Sequence, residues 1–262
     1  MNTVRDAAVP GHSGKRSPRY VVTCEHGGNR VPPRFRSFFR GHEGLLATHR
    51  GYDPGAITLA REAAHALSAP LLVSTTSRLL VDLNRSIGHP GLHSEATRRA
   101  PANVRHEIVA SYYVPYRNRA EALIAGMIAG GSRVVHLSSH SFTPELDGVV
   151  RTADIGLLYD PGRRGEALLC ARWQAALEQR APQLRVRRNY PYAGKADGFT
   201  TYLRRRFPAN AYVGVEIEIN QKHVFGSARR WRELRTLVID ALREALAGPA
   251  RRGERAGARS RR

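Results

Sequence analysis

The chain has 262 residues, 42% of them hydrophobic and 24% charged, which suits one large α/β domain able to fold without disulfide or metal staples. Two cysteines, Cys24 and Cys170, exclude a disulfide framework, and no apolar run approaches the ~20 residues needed to span a bilayer. The formal net charge of +20 calls for an anionic partner of some kind, a small substrate or a nucleic acid.

Residues 1–18 are rich in Gly, Pro and Ser and read as a flexible arm. They contain no apolar core of the signal-peptide type, so a cytoplasmic protein is expected. Tyr20–Cys24 (YVVTC) reads as a buried strand that runs into Glu25-His26-Gly27-Gly28-Asn29. A His at a strand end, followed by two glycines, can project into a cleft with little backbone in the way. Helical spacing runs over Pro54–Leu67, with apolar residues at Ile57, Leu59, Ala60, Ala63, Ala64 and Leu67. Asp53 before Pro54 suits an N-cap, and one carboxylate oxygen could cap while the other binds a metal.

Leu71–Ser74 and Leu79–Leu83 (LLVDL) read as strands, the second ending in Asn84-Arg85. An Asn-Arg pair at a strand mouth can clamp a carboxylate, because guanidinium offers two parallel donors. Arg78 would share a face with Asn84 if the run were one strand. Ala102–Ala129 reads as helix, broken near Pro115. Arg133–Leu137 reads as a strand leading to His140, with His136 as a buried, satisfied core histidine.

Ile155–Tyr159 is a further strand and Gly165–Gln179 a helix. Ala211–Ile219 (AYVGVEIEI) is a strand that carries Glu216 and Glu218, and Arg229–Ala247 a closing helix. Two acids on one face of an apolar strand are costly to bury unless used, and their proximity raises one pKa. Residues 249–262, with six Arg and one Glu, read as a disordered basic tail. The core, 19–248, alternates strands and helices, which predicts a largely parallel sheet with helices on both faces and ligands beyond the strand carboxyl ends. Histidines, carboxylates and an Asn-Arg pair at those ends make up the parts of a zinc hydrolase.

The segments CEHGGNRVPP, GYDPGA, SRLLVDLNRS, SHSFTP, DIGLLYD, NYPYAGKADGFTTYLRR and VEIEINQ resemble, in order, the N-formylglutamate amidohydrolase family. More distantly, Asp-Leu-Asn-Arg and His-Ser look like aspartoacylases and zinc carboxypeptidases. The resemblance implies a three-layer α/β/α sandwich around a mixed, mainly parallel sheet, with one Zn²⁺ at the strand ends. It implies His26 and His140 as metal ligands. The carboxypeptidase-like pattern would put a Glu ligand where Asn29 stands; Asp53 is chosen as third ligand over Glu25. Asn84 and Arg85 match the carboxylate clamp. Glu218 matches the catalytic base, with Glu216 in reserve, and Arg78 an oxyanion-stabilising arginine. Lys195, Arg204 and Arg205 are candidates to read a second substrate carboxylate.

The implied activity is hydrolysis of the N-acyl amide of an acidic amino acid such as N-formyl-L-glutamate, a small anionic substrate. Another N-acyl amino acid or a short peptide with a free carboxylate is the neighbouring possibility, and Co²⁺, Mn²⁺ or Fe²⁺ could use similar ligands. A basic nucleic-acid-binding protein with a structural metal is the non-enzyme alternative. Against it, only 7% of residues are aromatic and no Arg run is flanked by a stacking platform.

Overall fold

The computed structural model describes residues 18–248. The expected arm, apart from Pro18, and the basic tail lie outside the described residues. In chain order the strands are β1 (Arg19–Cys24), β2 (Leu71–Val73), β3 (Val134–Phe142), β4 (Glu145–Leu146), β5 (Val149–Val150), β6 (Ile155–Leu158), β7 (Val186–Arg188) and β8 (Tyr212–Asn220). The helices are α1 (Ala56–Ala66), α2 (Ala102–Ile108), α3 (Val114–Ala129), α4 (Arg164–Arg180), α5 (Phe199–Arg206), α6 (Gln221–Val224) and α7 (Ala228–Ala247).

Six strands form one sheet in the order β2-β1-β3-β8-β6-β7, and β4-β5 is a separate hairpin. Strands β2, β1, β3 and β8 run parallel, β6 is antiparallel to β8, and β7 is parallel to β6. The sheet is therefore mixed and mainly parallel, as expected. The two-residue period of a strand sorts its side chains between two helical layers. Val213, Val215, Ile217 and Ile219 of β8, with Val22 and Cys24 of β1, pack against α1, α4 and α7. Val21, Val134 and Tyr212 face the other way, against Ala120 and Ile124 of α3 and Phe199 and Leu203 of α5. Trp173, fully buried, closes the first layer by donating its indole N–H to Val238 O. Burying a large apolar side chain of this kind contributes roughly 1.5–3 kcal/mol.

Three local readings are corrected. Leu79–Leu83 is irregular, in turns at Leu79, Leu80 and Leu83, and not a strand. Its apolar residues are buried in a separate cluster with Phe35, Phe39, Leu92 and Ile108, and Asp82 N–H bonds to Leu92 O instead of to a sheet neighbour. A short apolar run has no periodicity that separates a buried strand from a buried loop. The helix over 102–129 is not broken at Pro115; a π turn, Val109–Tyr113, precedes it. That wider turn accommodates the missing proline N–H and the ring.

Asp53 does not cap α1. The N-cap is Gly55 at φ 80°, where a Cβ would meet Val224 Cγ2 at 2.7 Å. The Asp53 backbone carbonyl accepts from Ala56 N–H, which leaves its carboxylate free to turn toward the sheet. Elements without a sequence signal also appear: β7, α5, and 3-10 turns at Pro33–Phe39 and Glu43–Ala47. Among the described residues no helix is long and apolar enough to cross a membrane.

Candidate active site

The parallel strands deliver the site. In the β3–β8 register His140 stands opposite Glu218 and Ser138 opposite Glu216, all on the face opposite the α1/α4/α7 core. His26 follows β1 by two residues, and Asp53 N–H bonds to His26 O at 2.9 Å, which ties the loop before α1 to the end of β1.

His26, Asp53 and His140 are brought together, each offering one ligand atom within 4.8 Å of the others. Asp53 Oδ2 lies 2.9 Å from His140 Nδ1 and 3.4 Å from His26 Nδ1. The outer nitrogens face carboxylates. His26 Nε2 is 2.7 Å from Asp82 Oδ1; His140 Nε2 is 3.1 Å from Glu25 Oε2 and 2.9 Å from Ser138 Oγ. Two histidines turning Nδ1 inward and Nε2 toward a carboxylate have the form of backed metal ligands.

Two nitrogens and one carboxylate oxygen this close together could hold a metal ion, and catalytic zinc sites use donors of the same kind. Asn29 lies elsewhere, donating to Leu46 O, and Glu25 stands behind His140 where Ser138 and Tyr116 donate to it.

The electrostatics follow the contacts. Burial alone would raise Asp53, but His26, His140 and Arg78 outweigh it and hold the carboxyl far below its ordinary range. Asp82 is depressed in the same way by Arg78 and His26, against its burial. Burial would depress His140, yet hydrogen bonds to Asp53 and Glu25 raise it well above an ordinary imidazole. Glu218 goes the other way. Burial pushes it up to about 8, Asp53 and Glu216 add to the rise, and His140 and Arg78 oppose it. Its Oε2 is buried without a hydrogen-bond partner, a position that suits a visiting proton or ligand.

His26, Asp53, His140 and Glu218 line one cleft of about 490 Å³ with Arg78, Asn84, Arg85 and Glu216. Arg78 donates from Nη1 to Asp53 and from Nε and Nη2 to Asp82, and its side chain remains 27% exposed. Guanidinium has five N–H donors, so two remain for a ligand. Asn84 Oδ1 accepts from Phe199 N–H at 2.6 Å, which fixes the amide and leaves its NH₂ free to donate. Arg85 Nη1 donates to Asp197 O. Glu216 Oε1 accepts from Thr200 Oγ1 at 2.5 Å.

The far wall is the loop from Pro191 to Asp197. Tyr190, the residue before this loop, lies so close on β6 that a Cβ at Gly156, the register partner of Glu218, would stand 1.9 Å from its carbonyl oxygen.

Other candidates are placed outside the cleft lining. Arg204 is buried, paired through Nε with both oxygens of Glu166, and donates to Gly194 O and Gly214 O. Its charge is spent inside the protein. Lys195 and Arg205 are exposed and do not line the cleft. His136 sits between Thr23 Oγ1 and Tyr212 OH, and burial lowers it to about 4, so it is a neutral core histidine. The sequence reading gave no role to Asp82 or to Glu25 as partners of the histidines. Asp82 stood in plain view beside Asn84-Arg85, but its bond to His26 spans 56 positions and has no local signal.

The family model described as N-formylglutamate amidohydrolase matches residues 19–225. Among solved structures, the chain is similar to gene product Atu2144 of Agrobacterium tumefaciens, with 27% identity and a TM-score of 0.76 over 88% of this chain and 91% of that one. It also shares its fold with N-formylglutamate amidohydrolase from Ralstonia eutropha JMP134, with 20% identity and a TM-score of 0.63 over 89% and 94% of the two chains. A search of curated proteins gave no match.

Proposed function

Because the chain belongs to the N-formylglutamate amidohydrolase family, we propose that this amidohydrolase is metal-dependent and removes the N-formyl group from an acidic amino acid such as N-formyl-L-glutamate. The observation that carries the reading is the convergence of His26 Nδ1, His140 Nδ1 and Asp53 Oδ2 in a cleft that also holds Asn84, Arg85 and Glu218. His26, Asp53 and His140 would hold the ion, with Zn²⁺ the first choice for this donor set. When bound, the metal supplies Lewis-acid polarisation of the scissile carbonyl and of a water molecule.

The chain's own residues do the rest. Asn84 and Arg85 bind the α-carboxylate and set the amide at the mouth of the strands. Glu218 accepts a proton from the attacking water and returns it to the leaving nitrogen as the C–N bond breaks; formate and the free amino acid result. Arg78 turns its two unspent N–H groups toward the oxygen that gains negative charge. Asp82 and Glu25 fix the rings of His26 and His140.

Metal content of the purified protein and formate release from a panel of N-formyl, N-acetyl and dipeptide substrates test the reading together. About one zinc per chain, lost in the His26→Ala/His140→Ala double variant, with turnover of N-formyl-L-glutamate is the expected result. A metal-free protein that cannot be reconstituted would overturn the metal centre, and preference for another acyl group would move the substrate within the same chemistry.

A further inference from the structure

The helical segment that carries the π turn presents Tyr113, Tyr116 and Arg117 on one face, three and four positions apart. Each reaches a residue in the cleft wall or behind it. Tyr113 OH donates to Arg85 O at 2.8 Å, and Arg117 Nη1 donates to Leu83 O at 2.9 Å. Tyr116 OH donates to Glu25 Oε1 at 2.9 Å. Residues 83–85 thus have two of their three carbonyls held from this one face, and the residue between them is Asn84.

Arg117 is an unusual choice for a buried tie. It is 3% exposed, its Nε has no hydrogen-bond partner, and among the described residues it forms no salt bridge. Its guanidinium lies 4.4 Å from the ring centres of both Phe199 and Tyr202 and 5.1 Å from that of Tyr113. A desolvated cation held by aromatic faces and one carbonyl costs more than an apolar residue of similar size. That cost suggests a service beyond packing. Phe199, over which it lies, is also the residue whose N–H fixes Asn84 Oδ1. Arg117 therefore touches both sides of the clamp, the turn that carries Asn84 and Arg85 and the helix start that orients the Asn84 amide.

We propose that Tyr113 and Arg117 are positioning residues for the substrate carboxylate: they hold the 83–85 turn and the start of α5 so that the Asn84 and Arg85 donors point into the cleft. Neither residue lines the cleft. The inference rests on the reading of Asn84 and Arg85 as the carboxylate clamp.

The test is steady-state kinetics of the metal-loaded enzyme with N-formyl-L-glutamate and with an N-formyl amine that lacks the α-carboxylate, for wild type, Tyr113→Phe, Arg117→Met and Arg117→Lys, alongside metal content and Tm. Tyr113→Phe removes one hydroxyl and should raise KM for the carboxylate substrate about three- to tenfold, the worth of one hydrogen bond, with kcat and metal content held. Arg117→Met should raise KM further, and Arg117→Lys should recover part of the loss by restoring a donor and the charge. The substrate without a carboxylate should be cleaved equally well by wild type and Tyr113→Phe. Variants that lose Tm with unchanged KM, or that lose both substrates in equal proportion, overturn the positioning role. Wild type that binds the two substrates equally well overturns the clamp itself, and the inference with it.

Discussion

Asp82 Oδ1 stands 2.7 Å from His26 Nε2 and also accepts from Asn84 N–H at 2.9 Å. One carboxylate oxygen thus joins the histidine proposed as a metal ligand to the residue that would hold the substrate. The other oxygen is held by Arg78 Nη2 at 2.7 Å. Asp82→Asn keeps the shape but weakens the acceptor and removes the charge. Metal affinity, measured by competition with a chelator, should fall about 10–100-fold, the usual effect of losing a partner that fixes a ligand histidine. Unchanged affinity would reduce Asp82 to an anchor for the turn.

Glu218 and Glu216 are two residues apart on β8 and differ in their partners. Glu216 is held by Thr200, while one oxygen of Glu218 has none. Glu218→Gln should lower kcat by about 10²–10⁴, the range for a general base, while the metal stays bound. If Glu216→Gln shows that loss and Glu218→Gln turns over normally, the base is the other carboxylate.

Arg85 faces the cleft with one of its nitrogens held by Asp197 O at 3.1 Å. Removing a charged donor to a carboxylate costs about 1.5–3 kcal/mol, so Arg85→Ala should raise KM on the order of 10–100-fold with a smaller effect on kcat. An unchanged KM would remove Arg85 from the carboxylate site.

The raised pKa of Glu218 makes a stability prediction for metal-free protein. Its carboxyl titrates at about 8 in the folded chain against 4.5 as the ordinary value. The folded state therefore holds this proton more tightly than the unfolded one. The stability it contributes is present below 4.5 and is lost as pH rises through 8. Glu218→Gln cannot ionise, so its Tm should fall by several degrees less than that of wild type between about pH 5 and about pH 9. For a chain of this size each kcal/mol moves Tm by about 2–4 °C. Parallel profiles for the two proteins would place the pH dependence elsewhere.

Much of the scaffold was legible. YVVTC, RVVHL, IGLLY and AYVGVEIEI were all strands, because buried strands of an α/β sheet are short apolar runs between turn residues. Glu216 and Glu218 stood out as acids inside such a run, and the strand period put them on one face. LLVDL misled for the same reason that the others succeeded. Its apolar residues are buried too, in a small cluster that only the packing of Phe35, Phe39 and Ile108 creates.

By itself the sequence determined the alternating α/β order and the residue types gathered at the strand ends, through periodicities of two and 3.6 that any local window displays. The tertiary structure alone decided which of those residues meet. It turned Asp53 from a helix cap toward His26 and His140, and it drew Arg204 inward to Glu166. It set Asp82 and Glu25 behind the two histidines, and Tyr113 and Arg117 behind Asn84 and Arg85. The physical reason is range. A local pattern states which face a side chain takes, but a hydrogen bond between residues tens of positions apart depends on how whole elements pack.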